Sequence, residues 1–283
     1  MARLTEGNGG HGGNGGNGGH ARRPFATAAF NSVKRRLRFL WNAACAPRPV
    51  SGHRWKGSMD SVFENRAEAG RALAALLGAY SGRDDVIVLA LPRGGVPVAF
   101  EVARELAADL DVLVVRKLGV PVQPELAMGA IASGGAFYLD ETIVRYAGVA
   151  RAELTAVIAH EQAELARREA LYRGARPPLD VENRVAIVVD DGMATGATMK
   201  AAAMALRDKK PSRIVAALPV APADSDARIE SVVDEFICVQ RPYSYFGVGQ
   251  FYVDFTQTSD EEVFDLLRQA REASEARRRR GGG

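Results

Sequence analysis

Five short apolar runs set the frame for this chain. They are Asp85–Leu91 (DVIVLAL), Asp111–Lys117 (DVLVVRK), Arg184–Asp190 (RVAIVVD), Arg213–Val220 (RIVAALPV) and Glu235–Gln240 (EFICVQ). None alternates polar with apolar residues, so each is expected to be a strand covered on both faces. Between them lie stretches of helical periodicity: 63–80, 96–110, 151–173, 197–209, 223–232 and 260–273. Strands of this kind separated by helices make a parallel sheet with helices on both sides. Right-handed crossovers then give a doubly wound, mainly parallel α/β domain. Leu126–Ala132 (LAMGAIA) and Ala136–Leu139 (AFYL) read as shorter strands, and with the long charged helix 151–173 they are expected to form a small hood or lid.

The ends of the chain differ from this core. Residues 1–20 are Gly/Asn/His low complexity, and the only acidic residue before Met59 is Glu6. Such segments lack the apolar surface to offset their ordering entropy. A disordered basic extension is therefore expected over 1–58, with a targeting segment as the alternative. The folded domain is expected over 59–272, and a disordered basic tail over 273–283, which contains Arg277–Arg280. The net charge of +3 thus belongs to the two ends and is not a nucleic-acid footprint of the folded part. Cys45 and Cys238 are far apart and form no metal-ligand spacing, which points to a reducing, cytoplasmic setting. Three of the four histidines lie in the extension, which argues against a Ser-His-Asp triad. No run approaches the ~18 apolar residues of a spanning helix.

Ligands of doubly wound sheets sit beyond the C-terminal ends of the strands. Three places qualify. The first is Asp190–Thr198 (DDGMATGAT), where two carboxylates precede a loop of small residues that runs into a helix near Thr198. Backbone amides of such a loop, the helix N-terminus and the hydroxyls of Thr195 and Thr198 suit a phosphate monoester. The loop lacks the GK[ST] ending of a Walker A motif. Asp190 and Asp191 would repel a phosphate set against them. One step away they suit sugar hydroxyls and a hydrated Mg2+. An Asp-Asp turn capping the helix is the plainer alternative. The second place is Leu91–Pro97 (LPRGGVP), whose glycines allow close backbone approach to an anion. The third is Val114–Gly119 (VVRKLG), which offers Arg116 and Lys117 as neighbouring cations in a loop.

The stretch Val185–Thr198 resembles the phosphoribosyl pyrophosphate (PRPP) motif of type I phosphoribosyltransferases: an apolar strand, two acidic residues and a loop ending TGxT. LPRGG is similar to that family's pyrophosphate loop and VRK to its basic loop. The resemblance extends over roughly Phe63 to Ala270, and is nearest to the stand-alone subgroup. It implies an enzyme that uses PRPP with Mg2+ and releases pyrophosphate. Asp190 and Asp191 would hold the ribose hydroxyls and face the metal through water. Gly192, Met193, Ala194, Thr195, Gly196, Ala197 and Thr198 would form the 5′-phosphate loop. Arg93, Gly94 and Gly95 would hold pyrophosphate, with a non-proline cis peptide expected at Pro92–Arg93. Lys117, with Arg116, would neutralise the departing diphosphate, and Asp191 and Lys117 are the residues expected to serve catalysis.

Family members acting on 6-oxopurines carry an acid where this chain has Ala194, which weakens a hypoxanthine or guanine assignment. Acceptor contacts are expected from the aromatic segment Arg241–Phe255, through Tyr245 and Phe246, and from Glu125 in a loop near the basic pair. The same aromatics could equally pack the hood. His160 is read as an ordinary surface residue. The partners implied are PRPP and a small nitrogen acceptor, without a membrane, and a homodimer is compatible with the fold. A PRPP- or nucleotide-sensing regulator on the same fold is the alternative function.

Overall fold

The computed structural model describes residues 62–174 and 179–281. The expected extension over 1–58 lies outside them. In chain order the helices are α1 Arg66–Leu76, α2 Gly95–Leu106, α3 Glu141–Tyr146, α4 Arg151–Arg173, α5 Ala197–Arg207, α6 Ser225–Ile229 and α7 Asp260–Gly281. The strands are β1 Val86–Ala90, β2 Asp109–Val112, β3 Val115–Val120, β4 Gln123–Ala132, β5 Ala136–Leu139, β6 Val185–Val189, β7 Arg213–Val220 and β8 Glu235–Gln240.

Five strands form a parallel sheet in the order β2-β1-β6-β7-β8. Successive residues of β1 and β6 fall into two separate cores. Val86, Val88, Val185 and Ile187 pack with Leu73, Val102, Leu106 and Val263 of α1, α2 and α7. Ile87, Leu89, Ala186 and Val188 pack with Met199, Ala202, Leu206 and Ile229 of α5 and α6. Both faces of the sheet are therefore covered, as the unbroken apolar runs require. Ala90 pairs with Val189 across the β1–β6 ladder, so the segments leaving these strands emerge side by side. Among the described residues no helix is long and apolar enough to cross a membrane.

β3, β4 and β5 form a second, antiparallel sheet, which corrects three expectations. The run DVLVVRK is two strands. Leu113 still donates to the Ala90 carbonyl (2.9 Å), but Val114 already donates to Ser133 Oγ (2.9 Å) and accepts from Ser133 N (2.9 Å). The chain changes sheets while Leu113 and Val114 stay buried, so its apolarity does not mark the switch. Arg116 and Lys117 are accordingly strand residues on β3. Glu125 likewise lies in β4 and not in a loop.

The α4 helix, 23 residues long, buries little beyond Leu165, Tyr172 and Arg173. It is held over the second sheet by Val157 and Ile158 and by Glu169 Oε1, which accepts from Gly134 N (3.2 Å). Its C-terminal Arg173 pairs with Asp111 at 2.9 Å.

The expected disordered tail is also corrected. α7 continues to Gly281, with Ser274 Oγ donating to Asp109 (2.6 Å), Arg277 to the Ala108 carbonyl (2.9 Å) and Arg278 to Asp109 (2.8 Å). Alanine, glutamate and arginine are strong helix formers, and arginines in the last turn suit the helix dipole. α6 is shorter than the periodicity of 223–232 suggests.

Candidate active site

β6 delivers Asp190 and Asp191 to the C-terminal edge of the parallel sheet. The loop that follows closes on Gly196, whose φ of +81° favours glycine, and α5 begins at Ala197. Met193 N donates to the Val220 carbonyl (3.1 Å), tying the loop to β7. A cavity of about 140 Å3 is lined by Asp190, residues 192–199 and Leu218. Thr195 Oγ1 accepts from Ala197 N (3.4 Å), while Thr198 is exposed beside the loop. The Ala194 carbonyl accepts from Arg228 (2.9 Å), which Asp224 holds with two contacts of 2.8 Å. The small-residue loop and helix start expected for an anion are therefore both present at one cavity.

The loop after β1 lies against this motif. Pro92–Arg93 is a cis peptide, and Gly95 N donates to the Leu91 carbonyl (3.1 Å). A Cβ at Gly95 would come within 2.7 Å of the Val189 carbonyl and 2.9 Å of Asp190 Cα. One at Gly94 would overlap the Asp191 carboxylate. The two glycines thus let the first loop touch the acidic pair directly. Arg93 lies 3.7 Å from Asp260 at the start of α7, and that carboxylate also accepts from Tyr172 (2.7 Å).

The two acids have different surroundings. Asp190 Oδ1 accepts from Asp191 N (2.9 Å). Burial, reinforced by the neighbouring carboxylate, holds Asp190 well above the usual carboxylate pKa range. Asp191 is also raised by burial, against the lowering pull of Arg66. The Nε of Arg66 and one terminal nitrogen both lie 2.9 Å from Asp191 Oδ2. The Asp191 carbonyl accepts from Tyr252 (2.6 Å). Neither Arg66, Tyr252 nor Arg228 is expected from the sequence. Arg66 opens an ordinary amphipathic helix and has no motif of its own.

Arg116 and Lys117 stand apart from this edge in the chain, on β3. Arg116 is paired with Glu161 of α4 at 2.6 Å. Together with Pro121, Pro124, Val157 and His160, the two cations line a second cavity of about 560 Å3 between the β3–β4 hairpin and α4. His160, read as a surface residue, thus borders a cavity. The Glu125 side chain is outside the described set.

The aromatic segment divides. Tyr245 stacks on Phe251 (5.4 Å between centroids), and both join Phe63 and Tyr252 in a third cluster. The Tyr245 hydroxyl is buried without a hydrogen-bond partner among the described residues. Burial, with smaller contributions from Cys238, Asp191 and Asp190, raises its pKa to about 12. Phe246, in contrast, is 93% exposed. Val248 packs so closely on the motif that a Cβ at Gly192 would lie 2.5 Å from it. The segment therefore covers the start of the loop with one set of rings and presents another to solvent.

A family model described as phosphoribosyl transferase domain matches residues 58–256. Two Mycobacterium tuberculosis proteins, "Putative phosphoribosyl transferase Rv0571c" and its MT0597 counterpart, are each 49% identical over 209 residues, covering 74% of this chain and 47% of theirs. The chain thus spans about half the length of the curated relatives it matches. The crystal structure of TT1426 from Thermus thermophilus is similar at 38% identity and a TM-score of 0.68, covering 74% of this chain and 98% of that one.

Proposed function

The chain belongs to the phosphoribosyl transferase family, and on that premise we propose that it transfers the 5-phosphoribosyl group of PRPP to a nitrogen acceptor with Mg2+ as cofactor. In the reaction a bond forms between the acceptor nitrogen and ribose C1 while the bond from C1 to the diphosphate oxygen breaks. The observation that carries this reading is the contact between the two loops. Gly94 and Gly95 press on Asp191 and Asp190, and the small-residue cradle at Gly192–Thr198 opens from the same edge. A ligand with phosphate, pentose and diphosphate in series fits that arrangement.

Ala194 to Thr198 would hold the 5′-phosphate, with Asp190 and Asp191 at the pentose hydroxyls. Arg93 and the two glycines would meet the diphosphate, and Arg116 and Lys117 would close on it from the second sheet. Both cations would then have to approach the parallel-sheet edge, and Arg116 would have to give up Glu161. Lids that close on substrate are common in such chemistry.

Among the described residues no group of three or more His, Cys, Asp or Glu could hold a metal. Two carboxylates plus substrate phosphates are a usual way for Mg2+ to bind, so Asp190 and Asp191 fit it through water. When bound, Mg2+ supplies charge neutralisation for the leaving diphosphate. The chain's own residues orient the pentose and exclude water, which suits an oxocarbenium-like transition state that needs few acid–base groups. Tyr245, Phe246 and Glu125 remain the proposed acceptor contacts. A role in cytoplasmic nucleotide metabolism goes with this reading.

The test is pyrophosphate release from Mg-PRPP across a panel of nucleobases and small amines, with thermal melting in parallel. Saturating Mg-PRPP at a hundred times its Kd should stabilise the fold by about 2.7 kcal/mol. A melting curve unmoved by millimolar Mg-PRPP would sink the proposal. Binding without turnover on any acceptor would favour a sensor.

A further inference from the structure

Arg66 does three things at once. Its Nε and one terminal nitrogen each reach Asp191 Oδ2 at 2.9 Å. Its other terminal nitrogen donates to the Thr256 carbonyl at 2.7 Å. Its guanidinium lies 4.1 Å from the centroid of the Phe255 ring. The side chains of Arg66 and Asp191 are only 11% and 14% exposed, so this is a nearly buried pair. Arginine's planar fork can serve two acceptors and a ring together, which a lysine ammonium cannot do in the same geometry.

The surroundings tie these contacts to two distant parts of the chain. Asn65 caps α1 by accepting from Glu68 N (3.0 Å), which fixes Arg66 in the first turn. Just before it, Phe63 N donates to the Phe251 carbonyl (2.8 Å), Val253 N to the Phe63 carbonyl (2.8 Å) and Asp254 N to the Glu64 carbonyl (2.9 Å). The strap 251–256 is therefore stitched to the start of α1. Tyr252 of the strap also donates to the Asp191 carbonyl. Gly94 lies against the same carboxylate, where a Cβ would come nearest to Oδ2. Both Arg66 contacts fall on Oδ2, leaving Oδ1 outside the ion pair.

We infer that Arg66 is a positioning residue of the pentose site, which holds the Asp191 carboxylate against Gly94 and makes its placement depend on the aromatic strap. This rests on reading Asp191 as a contact of the pentose hydroxyls. In that arrangement Arg66 touches no ligand. It sets which carboxylate oxygen a sugar meets. Removing one member of a buried pair leaves the other charged and unpaired, so the effect should appear at Asp191 first.

The experiment measures calorimetric binding of ribose 5-phosphate and of inorganic phosphate to the full chain, for wild type, R66Q, D191N and the double variant. R66Q should weaken ribose 5-phosphate about tenfold, the loss expected for one charge-assisted bond, and leave inorganic phosphate within about twofold. In the double variant R66Q should add nothing to the loss caused by D191N. R66K should recover part of the loss, and Phe255→Leu should cause a smaller loss of the same kind. Should R66Q not fold, R66K carries the same cycle. Equal losses for both ligands, or losses that add in the double variant, overturn the inference alone. An unchanged affinity in Phe255→Leu overturns the dependence on the strap. A wild type that binds ribose 5-phosphate no better than phosphate overturns the pentose reading, and this inference with it.

Discussion

In the five-stranded sheet, β1 and β6 are buried at every position. In the three-stranded sheet, β3 keeps only Leu118 and Val120 fully inside and leaves its other residues part-exposed. The first sheet is held by two apolar cores on its opposite faces. The second shares in those cores through Leu118, Val120, Met128 and Ile131, and adds polar links to α4, such as Arg116–Glu161 and Glu169 to Gly134 N. The proposed phosphate and pentose contacts leave the first sheet, while the proposed cations for the leaving group ride on the second. On that proposed reading the phosphate and pentose contacts are framed by deep burial, and Arg116 would have to exchange Glu161 for the leaving group.

Unfolding in urea should separate the two regions most strongly. Leu89→Ala, at a fully buried position in β1, should cost about 2–5 kcal/mol through lost burial and a residual cavity. Phe137→Ala, at a part-exposed position of β5, should cost less, about 1 kcal/mol. Similar costs at the two positions would mean that the second sheet is as tightly framed as the first.

The next effect belongs to the contact between the two loops. Gly94→Ala places a methyl group on the Asp191 carboxylate. A displacement of that acid by about 1 Å should lower Mg-PRPP turnover roughly a hundredfold. Moving the acid would also loosen the nearly buried Arg66–Asp191 pair, so stability should fall as well. Full turnover in the alanine variant would show that the two loops do not act as one site.

The difference between the sheets also explains what could be read from the sequence. The parallel sheet is legible because burial on both faces demands unbroken apolar runs, and the acidic pair with its small-residue loop is legible because it occupies consecutive positions. Arg66 and Tyr252 meet Asp191 only through folding, from 125 and 61 residues away. No local pattern marks Arg66, and nothing singles out Tyr252 among the rings of the aromatic segment. The change of sheet between Leu113 and Val114 is invisible because both residues are buried on either side of it. The placement of Arg116 and Lys117 in a loop fails for that same reason. The aromatic segment shows its composition in the sequence, but not that Tyr245 packs inward while Phe246 points outward.

A smaller effect tests whether the second sheet's links are structural alone. Arg116 and Glu161 are part-buried and 2.6 Å apart. Arg116→Gln and Glu161→Gln should each cost about 1 kcal/mol of stability, with a double-variant cost below the sum. On Mg-PRPP turnover the two should part. Loss of Arg116 should lower it, whereas loss of Glu161 frees the arginine and should maintain or raise it. Equal decreases in turnover would confine Arg116 to a structural link.

The smallest effect concerns the end of α7, where the sequence suggests a loose basic tail and the chain instead forms a helix. Burial tends to raise the Asp109 pKa, but Ser274, Arg278 and Arg184 outweigh it and hold the group below its ordinary value. A carboxylate lowered in the folded state stabilises the fold above its unfolded pKa of about 3.9, and that contribution is lost as pH falls through the folded value. Ending the chain at Glu272 removes Ser274 and Arg278 and leaves Arg184, 3.3 Å from the carboxylate. Arg278 is largely exposed, so its share is modest and screened by salt. The shortened chain should therefore be less stable by about 1 kcal/mol at pH 6 and low ionic strength. Part of that difference should disappear below about pH 4, as Asp109 becomes protonated. Melting both chains from pH 3 to pH 7, at low and high salt, reads the effect directly. A difference independent of both pH and salt would assign the stabilisation to the helix's own packing and not to its hold on Asp109.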